Sequence, residues 1–285
     1  MDTVLKGTVR EVIVGDGRPT VIIGERINPT GKKRLAAALL AGDLDVVRQE
    51  ALAQVEAGAD VLDVNVGVAG VDEVDLLAKA VGLVLETVDL PVCIDSSNAE
   101  ALRSALAAHK DLNPSGRPLV NSVNGEEASL NSVLPLVAEY GTAVIGLCMD
   151  DNGIPATAEG RLAVAERIIT RCEQLGIARQ DVLIDCLAMT VGADSKAGLT
   201  TLQAIRMVKE ELGVNMTLGA SNVSFGLPER EVINGAFLAI VIAAGVNCPL
   251  VDAAKVRPYI LAADLALGRD EYAMRYIRAF RKRRK

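Results

Sequence analysis

The stretch VIIGERINPTG, residues 21–31, contains an apolar run that stops at charged and amide residues. Its apolar residues lead through Gly24 into Glu25, Arg26 and Asn28, and a Pro–Thr–Gly turn follows. A short apolar run bounded by turn residues predicts a buried strand. Functional groups of parallel α/β proteins gather at the carboxyl ends of such strands. We therefore expect this strand to end at a functional site.

Seven further runs of the same kind follow along the chain, each succeeded by a turn and a helical pattern. The eight runs cover residues 20–25, 60–66, 91–97, 118–124, 142–149, 181–187, 215–221 and 247–254. Two of the intervening helical patterns, residues 43–59 and 161–176, end at Gly58 and Gly176. Glycine is the usual residue just past a helix end. In the second pattern one apolar face is formed by Leu162, Ala165, Ile168, Ile169, Cys172 and Leu175.

Eight strands that alternate with helices predict an α/β fold, a parallel (β/α)8 or TIM barrel in a single domain. We assign residues 20–285 to this barrel, including a C-terminal helix. A doubly wound open sheet is the alternative, although no G-x-G-x-x-G follows the first run. Residues 1–19 alternate apolar and polar around GDG, residues 15–17, and predict a hairpin that closes the bottom of the barrel.

Composition and charge argue against several classes of protein. The net charge of −7 argues against a nucleic-acid binder. The one basic cluster, RAFRKRR at residues 278–284, is typical of the exposed end of a C-terminal helix. No apolar stretch approaches the roughly 18 residues of a membrane span, and the N-terminus does not resemble a signal peptide. Five cysteines without C-x-x-C spacing predict free buried thiols in a cytoplasmic protein.

Polar residues end almost every predicted strand. The set consists of Glu25, Arg26, Asn28, Asp63, Asn65, Asp95, Ser96, Asn98, Asn121, Ser122, Asn124, Asp185, Ser221 and Asn222, followed by Arg230 at a predicted helix start. Histidine is absent from the set, and we expect His109, the only one in the chain, on a helix surface. Because no Cys or His cluster has ligand spacing, we predict no bound metal. A Mg²⁺ site built from carboxylates is the alternative, since spacing alone does not exclude it.

Buried Asp and Asn side chains suit a flat heterocycle with alternating donors and acceptors. A carboxylate accepts from two adjacent N–H groups, and a carboxamide both donates and accepts. A 2-amino-4-oxo-pyrimidine ring presents that pattern. Helix capping is the competing explanation for Ser96, Asn98, Ser122 and Asn124. It is weaker for Asp95 and Asp185, because an unpaired carboxylate within a buried strand is costly.

Several motifs occur in order on successive strands: IGERINPTG, DVNVG, CIDSSN, VNSVNGE, IGLCMDDNGIP, LIDCL and GASNVSFGLPER. Together they resemble the pterin-binding methyltransferases, that is, the methyltetrahydrofolate:corrinoid protein methyltransferases and the folate domain of cobalamin-dependent methionine synthase. The similarity extends over residues 21–254. It implies a TIM barrel that holds 5-methyltetrahydrofolate at its C-terminal face and transfers the N5 methyl group to the cobalt of a corrinoid protein.

The resemblance also implies roles for single residues. Asp95, Asp185 and Asn121 match residues that hydrogen-bond the pterin, Asn222 matches the catalytic group that approaches N5, and Arg230 lies nearby. Further candidates for lining the folate pocket are Glu25, Asn28, Asp63, Asn65 and Ser221. We expect Arg26 to form an ion pair with a neighbouring strand-end carboxylate such as Asp63. Phe225 departs from relatives that carry Gln there, so the loop does not identify the acceptor.

The resemblance further suggests partners. The corrinoid-carrying motif D-x-H-x-x-G is absent, so we expect a stand-alone component that docks with a separate corrinoid protein, and a homodimer as in relatives. The corrinoid iron–sulfur protein of acetyl-CoA synthesis and corrinoid proteins of O- or N-demethylation stay open as acceptors. Dihydropteroate synthase is an alternative function, for which Lys32 and Lys33 would contact a diphosphate. A non-catalytic folate-binding subunit is another.

Overall fold

The computed structural model describes residues 1–283, and within them the chain forms ten strands. They are β1 (Asp2–Lys6), β2 (Glu11–Gly15), β3 (Ile23–Ile27), β4 (Val61–Val64), β5 (Val92–Asp95), β6 (Leu119–Asn124), β7 (Ala143–Leu147), β8 (Val182–Asp185), β9 (Asn215–Thr217) and β10 (Leu250–Val251). Each of the eight predicted runs overlaps one strand from β3 to β10. The first strand continues beyond its predicted end to Ile27, which pairs with Val64 after a register shift.

Ten α-helices cover the same described residues. They are α1 (Lys33–Leu40), α2 (Asp45–Ala57), α3 (Glu73–Thr87), α4 (Ala99–Leu112), α5 (Glu127–Tyr140), α6 (Ala158–Gln174), α7 (Ala197–Leu212), α8 (Arg230–Ala244), α9 (Ala253–Ala266) and α10 (Met274–Arg283). Short 3-10 helices span Arg179–Asp181, Ala220–Ser224 and Glu271–Ala273. No helix among residues 1–283 combines the length and the apolarity of a membrane crossing.

The eight later strands form one parallel sheet that curls into a barrel. Their order is β10-β3-β4-β5-β6-β7-β8-β9. A parallel bridge between Gly219 and Leu250, with Leu250 N donating to Leu218 O at 3.0 Å, joins the last strand to the first. The predicted (β/α)8 barrel is confirmed, and the open-sheet alternative is wrong. The carboxyl ends of the strands meet at one end of the barrel, here called the barrel mouth.

A hairpin lies at the opposite end. β1 and β2 pair antiparallel from Asp2↔Gly15 to Lys6↔Glu11. Their turn occupies residues 7–10 rather than the GDG sequence at 15–17, because the two alternating stretches flank the former. The apolar side of the hairpin packs on the first residues of the barrel strands; this cluster includes Leu5, Val12, Val14, Ile23, Val61, Cys93 and Leu119. The hairpin therefore closes the bottom of the barrel.

The helices bury the faces that their spacing predicts, with one exception. α2 ends at Gly58, whose φ of 90° is left-handed, and Gly176 beyond α6 has a φ of 77°. On α6, Ala165, Ile168, Ile169 and Cys172 are buried and Leu162 is partly buried. Leu175 lies past the last helical residue, where the face turns to solvent, and is 42% exposed.

His109 is buried, so the prediction of a surface position is wrong. Only 2% of the residue is exposed, and burial lowers its pKa to about 4. The reason lies in its spacing on α4, since it follows Ala105 by four residues and Leu106 by three and shares their buried face. Its imidazole lies against Gly116, in the loop between α4 and β6.

The cysteines and the basic cluster are the remaining sequence features. All five cysteines are free and buried, as predicted. α10 includes the basic cluster, with Arg278, Arg281 and Lys282 exposed, whereas Arg284 lies outside the described residues. The polar ends of the strands are thus the part of the fold to consider for function.

Candidate active site

Asp95 forms the first hydrogen-bonded pair at the barrel mouth. It is the last residue of β5, and Nδ2 of Asn65 donates to its Oδ2 at 3.0 Å. Oδ1 of Asn65 accepts from the backbone N–H of Gly67 at 2.9 Å, which fixes the orientation of the carboxamide. Burial raises the pKa of Asp95 to about 6. Its other oxygen accepts no hydrogen bond from the described residues and is available to a ligand.

Asp63 and Asn121 form a second pair deeper in the barrel. Asp63 on β4 is fully buried, and Nδ2 of Asn121 on β6 donates to its Oδ1 at 3.2 Å. Burial, followed by the charges of Asp95 and Glu25, raises the pKa of Asp63 well above its usual range. Its Oδ2 has no hydrogen-bond partner among the described residues. Asp63 lies behind Asn121, whose own oxygen is left unpaired within the described structure.

Asp185 occupies the end of β8 and is held by backbone groups. Its Oδ1 accepts from the N–H of Leu187 at 2.7 Å, and its Oδ2 accepts from the N–H of Gly219 at 3.1 Å. Burial raises its pKa to about 6 despite these two bonds. The carboxylate ties the segment after β8 to the end of β9, and each oxygen retains a lone pair for a ligand donor.

A cavity of about 400 Å³ opens on the other side of the mouth, between the ends of β9, β10 and β3. Its lining includes Glu25, Arg26, Lys32, Ser221, Asn222, Phe225, Arg230, Asn234, Asp252 and Lys255. Glu25 lies within β3, and burial raises its pKa to about 7. Asn28 donates from Nδ2 to Oε1 of Glu25 at 3.4 Å, so these two predicted residues adjoin.

Asn222 belongs to the 3-10 helix Ala220–Ser224, five residues beyond the last residue of β9. Its side chain is exposed and makes no hydrogen bond with the described residues. Arg230 begins α8, as predicted, and donates to the backbone oxygen of Ser221 at 2.7 Å and to Oγ of Ser224 at 3.0 Å. Arg230 thereby braces the turn that presents Asn222.

Arg26 forms the predicted ion pair with a neighbouring strand-end carboxylate, but that carboxylate is Asp252, after β10, and not the named example Asp63. Its Nε lies 3.3 Å from Glu50, and its Nη1 lies 3.3 Å from Asp252. Asp63 is instead fully buried and accepts from Asn121. Asp252 was missed as a site residue, although it follows the last apolar run in the way that Asp95 and Asp185 follow theirs.

The capping explanation holds for part of the polar set. Asn98 caps α4 by accepting from the backbone N–H of Glu100, and Asn124 accepts from that of Glu126. Ser96 donates to Glu73. Within the described residues, no three Asp, Glu, His or Cys side chains are grouped so as to hold a metal ion. The remaining acceptors, on Asp95, Asn121 and Asp185, converge on the mouth from three strands.

Comparison with known proteins identifies the family of the chain. The family model described as pterin binding enzyme matches residues 24–252, which span the barrel from β3 to the end of β10. The chain belongs to the pterin-binding enzyme family. The match begins and ends on the two strands that flank the cavity.

Two similar proteins differ in how much of their own length the chain covers. A protein of Eubacterium limosum named methylcorrinoid:tetrahydrofolate methyltransferase is 31% identical over 270 residues, which cover 92% of this chain and 96% of the relative. The methionine synthase of Mycobacterium leprae is 34% identical over 255 residues, 85% of this chain. The chain spans only 21% of that relative's length. It therefore corresponds in length to the first relative.

Solved structures with the same fold include dihydropteroate synthases. Yersinia pestis dihydropteroate synthase with a pterine–sulfa conjugate gives a TM-score of 0.71 at 18% identity, covering 94% of this chain and 99% of the other. The same enzyme with a sulfonamide drug gives a TM-score of 0.73 at 17% identity. At such low identity, this likeness establishes the shared barrel fold alone.

Proposed function

We propose that the protein is a methyltransferase that moves the N5 methyl group between 5-methyltetrahydrofolate and the cobalt of a corrinoid on a separate protein. The observation that carries this proposal is the relative named methylcorrinoid:tetrahydrofolate methyltransferase, which this chain matches over nearly its full length. The acceptors at the barrel mouth support the folate half of the reaction. The corrinoid partner, and not these residues, determines which protein exchanges the methyl group and in which net direction the transfer runs.

The pyrimidine edge of the pterin suits the three strand-end acceptors. That edge presents an N–H and an adjacent amino group, which are donors, next to a carbonyl oxygen. Asp95 and Asp185 offer carboxylate oxygens, and Asn121 offers a carboxamide oxygen. Charge-assisted bonds of this kind are about twice as strong as neutral ones. The pterin therefore binds with its pyrimidine edge toward β5, β6 and β8.

Methyl transfer requires activation of N5 as a leaving group. An N5-methyl tertiary amine is a poor donor because its leaving group is an amide-like anion. A hydrogen bond that strengthens as charge develops at N5 lowers the barrier. Asn222 supplies an unpaired, neutral carboxamide at the mouth, on the turn that follows β9. Glu25 lines the same cavity, and its raised pKa of about 7 lets it hold a proton near neutrality.

Free cob(I)alamin is a convenient test acceptor for this activity. Addition of 5-methyltetrahydrofolate and enzyme should abolish the absorbance of Co(I) in the near-ultraviolet and visible range. Binding of the folate without loss of that signal, with free or protein-bound corrinoid, would indicate a non-catalytic folate-binding subunit. A dihydropteroate synthase would instead consume p-aminobenzoate and pterin diphosphate, which we expect this protein to leave unchanged.

Folate affinity should decrease in acid. Asp95 and Asp185 have pKa values of about 6 in the free protein, and each must be ionised to accept from the pterin. Affinity is therefore full above the raised pKa and falls as the pH drops through about 6, by up to about tenfold per pH unit for each carboxylate. Calorimetric titration with tetrahydrofolate across this range measures the slope. Affinity that increases on acidification would contradict the assignment.

Asp63 is expected to position Asn121 rather than to touch the folate, because it is fully buried behind that carboxamide. Asp63→Ala removes the acceptor of Asn121 and should raise the folate Kd about tenfold, with little change in transfer from bound folate. Asp63→Asn retains an acceptor and should restore most of the affinity. Equal losses in both variants, measured by titration at matched thermal stability, would argue against a positioning role.

The open mouth also defines where the partner must act. The corrinoid has to approach N5, so the corrinoid protein docks over the barrel mouth rather than on the hairpin end. We further propose a cytoplasmic homodimer, by analogy with the relatives that the motifs resemble. Light scattering of the purified protein measures the mass of the assembly directly.

A further inference from the structure

Cations without anionic partners line the cavity beside the pterin site. Among the basic residues of this lining, Arg26 pairs with Glu50 and Asp252, and Lys255 lies 3.7 Å from Asp252. Lys32 and Arg230 have no carboxylate within ion-pair distance among the described residues. Two positive charges therefore face a cavity of about 400 Å³ with no acidic side chain bonded to them.

Lys32 is the less exposed of these two cations. It is half-buried, and its Nζ donates to the backbone oxygens of Glu25 at 3.3 Å and Asn28 at 3.0 Å. Burial lowers its pKa, because the charged form loses hydration. An ammonium group has three donors, so one N–H is left over for a ligand. The charges of Glu25, Glu50 and Asp252 partly offset the effect of burial on this pKa. None of these carboxylates forms an ion pair with Nζ, so the free N–H can bond a ligand carboxylate directly.

The orientation of the folate directs one end of it into this cavity. With the pyrimidine edge on Asp95, Asn121 and Asp185 and with Asn222 at N5, as proposed, the edge of the ring that holds N5 faces the cavity that Asn222 lines. That edge holds N5 and, next to it, C6, which bears the p-aminobenzoyl-glutamate tail. Asn222 lines the cavity, so the tail leaves the ring at the cavity's inner end.

The lining offers groups that suit the parts of that tail. Phe225 is 68% exposed beside Asn222 and offers its ring to the benzoyl group. The guanidinium of Arg230 lies 5.9 Å from the centre of the same ring. Beyond this aromatic group the tail carries two carboxylates, and Lys32 and Arg230 are the unpaired cations of the cavity.

We infer that this cavity is a subsite for the glutamate tail of folate, in which Lys32 and Arg230 bind its carboxylates. The inference rests on the proposed function for the identity of the ligand. It assigns Lys32 to substrate affinity and not to a diphosphate or to methyl transfer itself.

Lys32→Met tests this subsite, with Lys33→Met as the matched control. Lys33 is the next residue, is exposed and does not line the cavity. Binding is measured with 5-methyltetrahydrofolate and with 5-methyltetrahydropteroate, which lacks the glutamate. Lys32→Met should raise the Kd for the first ligand about tenfold and leave the Kd for the second unchanged, whereas Lys33→Met should change neither.

Other outcomes would overturn the subsite. Equal weakening of both ligands by Lys32→Met would place the lysine at the ring or in the fold, and no weakening of either would remove it from binding. A change confined to the KM for the corrinoid protein would assign the cation to the partner. The proposed function is tested separately, by methyl transfer from the glutamate-free ligand in the wild-type protein. Failure of the subsite therefore leaves that transfer intact, whereas failure of the proposed function abolishes it.

Discussion

Replacing Asn222 by Ala should lower the rate of single-turnover methyl transfer by on the order of a hundredfold while the folate Kd changes by less than about threefold. The asymmetry arises because the carboxamide acts on charge that exists only as the methyl group leaves N5. In the ground state N5 is an uncharged amine, and a hydrogen bond to it contributes little to binding. Rapid-mixing measurements with saturating folate and Co(I) corrinoid give the rate.

A matched variant separates this effect from a disturbed turn. Arg230→Lys retains the charge but loses part of the brace on Ser221 and Ser224, and it should lower the rate less than loss of Asn222 itself. If Asn222→Ala transferred the methyl group at close to the wild-type rate, its role at N5 would be wrong. If it weakened folate binding as much as transfer, Asn222 would be a binding residue only.

Asp95→Asn should weaken folate binding by on the order of a hundredfold. The reason is the fixed orientation of Asn65, whose Nδ2 donates to residue 95 while its Oδ1 accepts from Gly67. An Asn at position 95 must turn its own oxygen toward that donor. Its NH2 group then faces the donors of the pterin, so an attractive contact becomes a repulsive one.

A second variant tests that explanation. Adding Asn65→Ala to Asp95→Asn frees the new carboxamide to rotate and should recover part of the lost affinity. Asp111→Asn, an equivalent change on an exposed position of α4, should leave the affinity unchanged. Titration calorimetry measures all three variants. Affinity that stays at the wild-type level in Asp95→Asn would exclude Asp95 from the pterin site.

The barrel itself was predictable because its signal is repetitive. Eight apolar runs, each followed by a helical period, leave few other architectures, and every run overlaps a strand. Boundaries were less accurate where tertiary pairing decides them. β3 extends to Ile27 because its backbone pairs with β4 past a register shift, which the sequence does not reveal. The hairpin turn lies at residues 7–10 rather than at 15–17 for a related reason, since two alternating stretches allow more than one pairing register.

The residues of the candidate site could be predicted from the sequence, but the hydrogen bonds and ion pairs between them could not. Strand-end Asp and Asn residues identified the mouth because functional groups of a barrel come from those positions. Which of them touch one another depends on the side that each side chain faces. Arg26 pairs with Glu50 and Asp252 beside the cavity, and Asp63 lies buried behind Asn121. His109 shows the converse, since its spacing on α4 contained the signal for burial.

The most direct test of the account follows a labelled methyl group. Wild-type protein is mixed with 5-methyltetrahydrofolate labelled in its N5 methyl group and with a Co(I) corrinoid, in equal amounts, and the products are separated. We predict that label reaches cobalt and that tetrahydrofolate forms in equal amount. Label that stays on folate, despite tight folate binding and with a competent corrinoid protein present, would contradict methyl transfer as the function of this barrel.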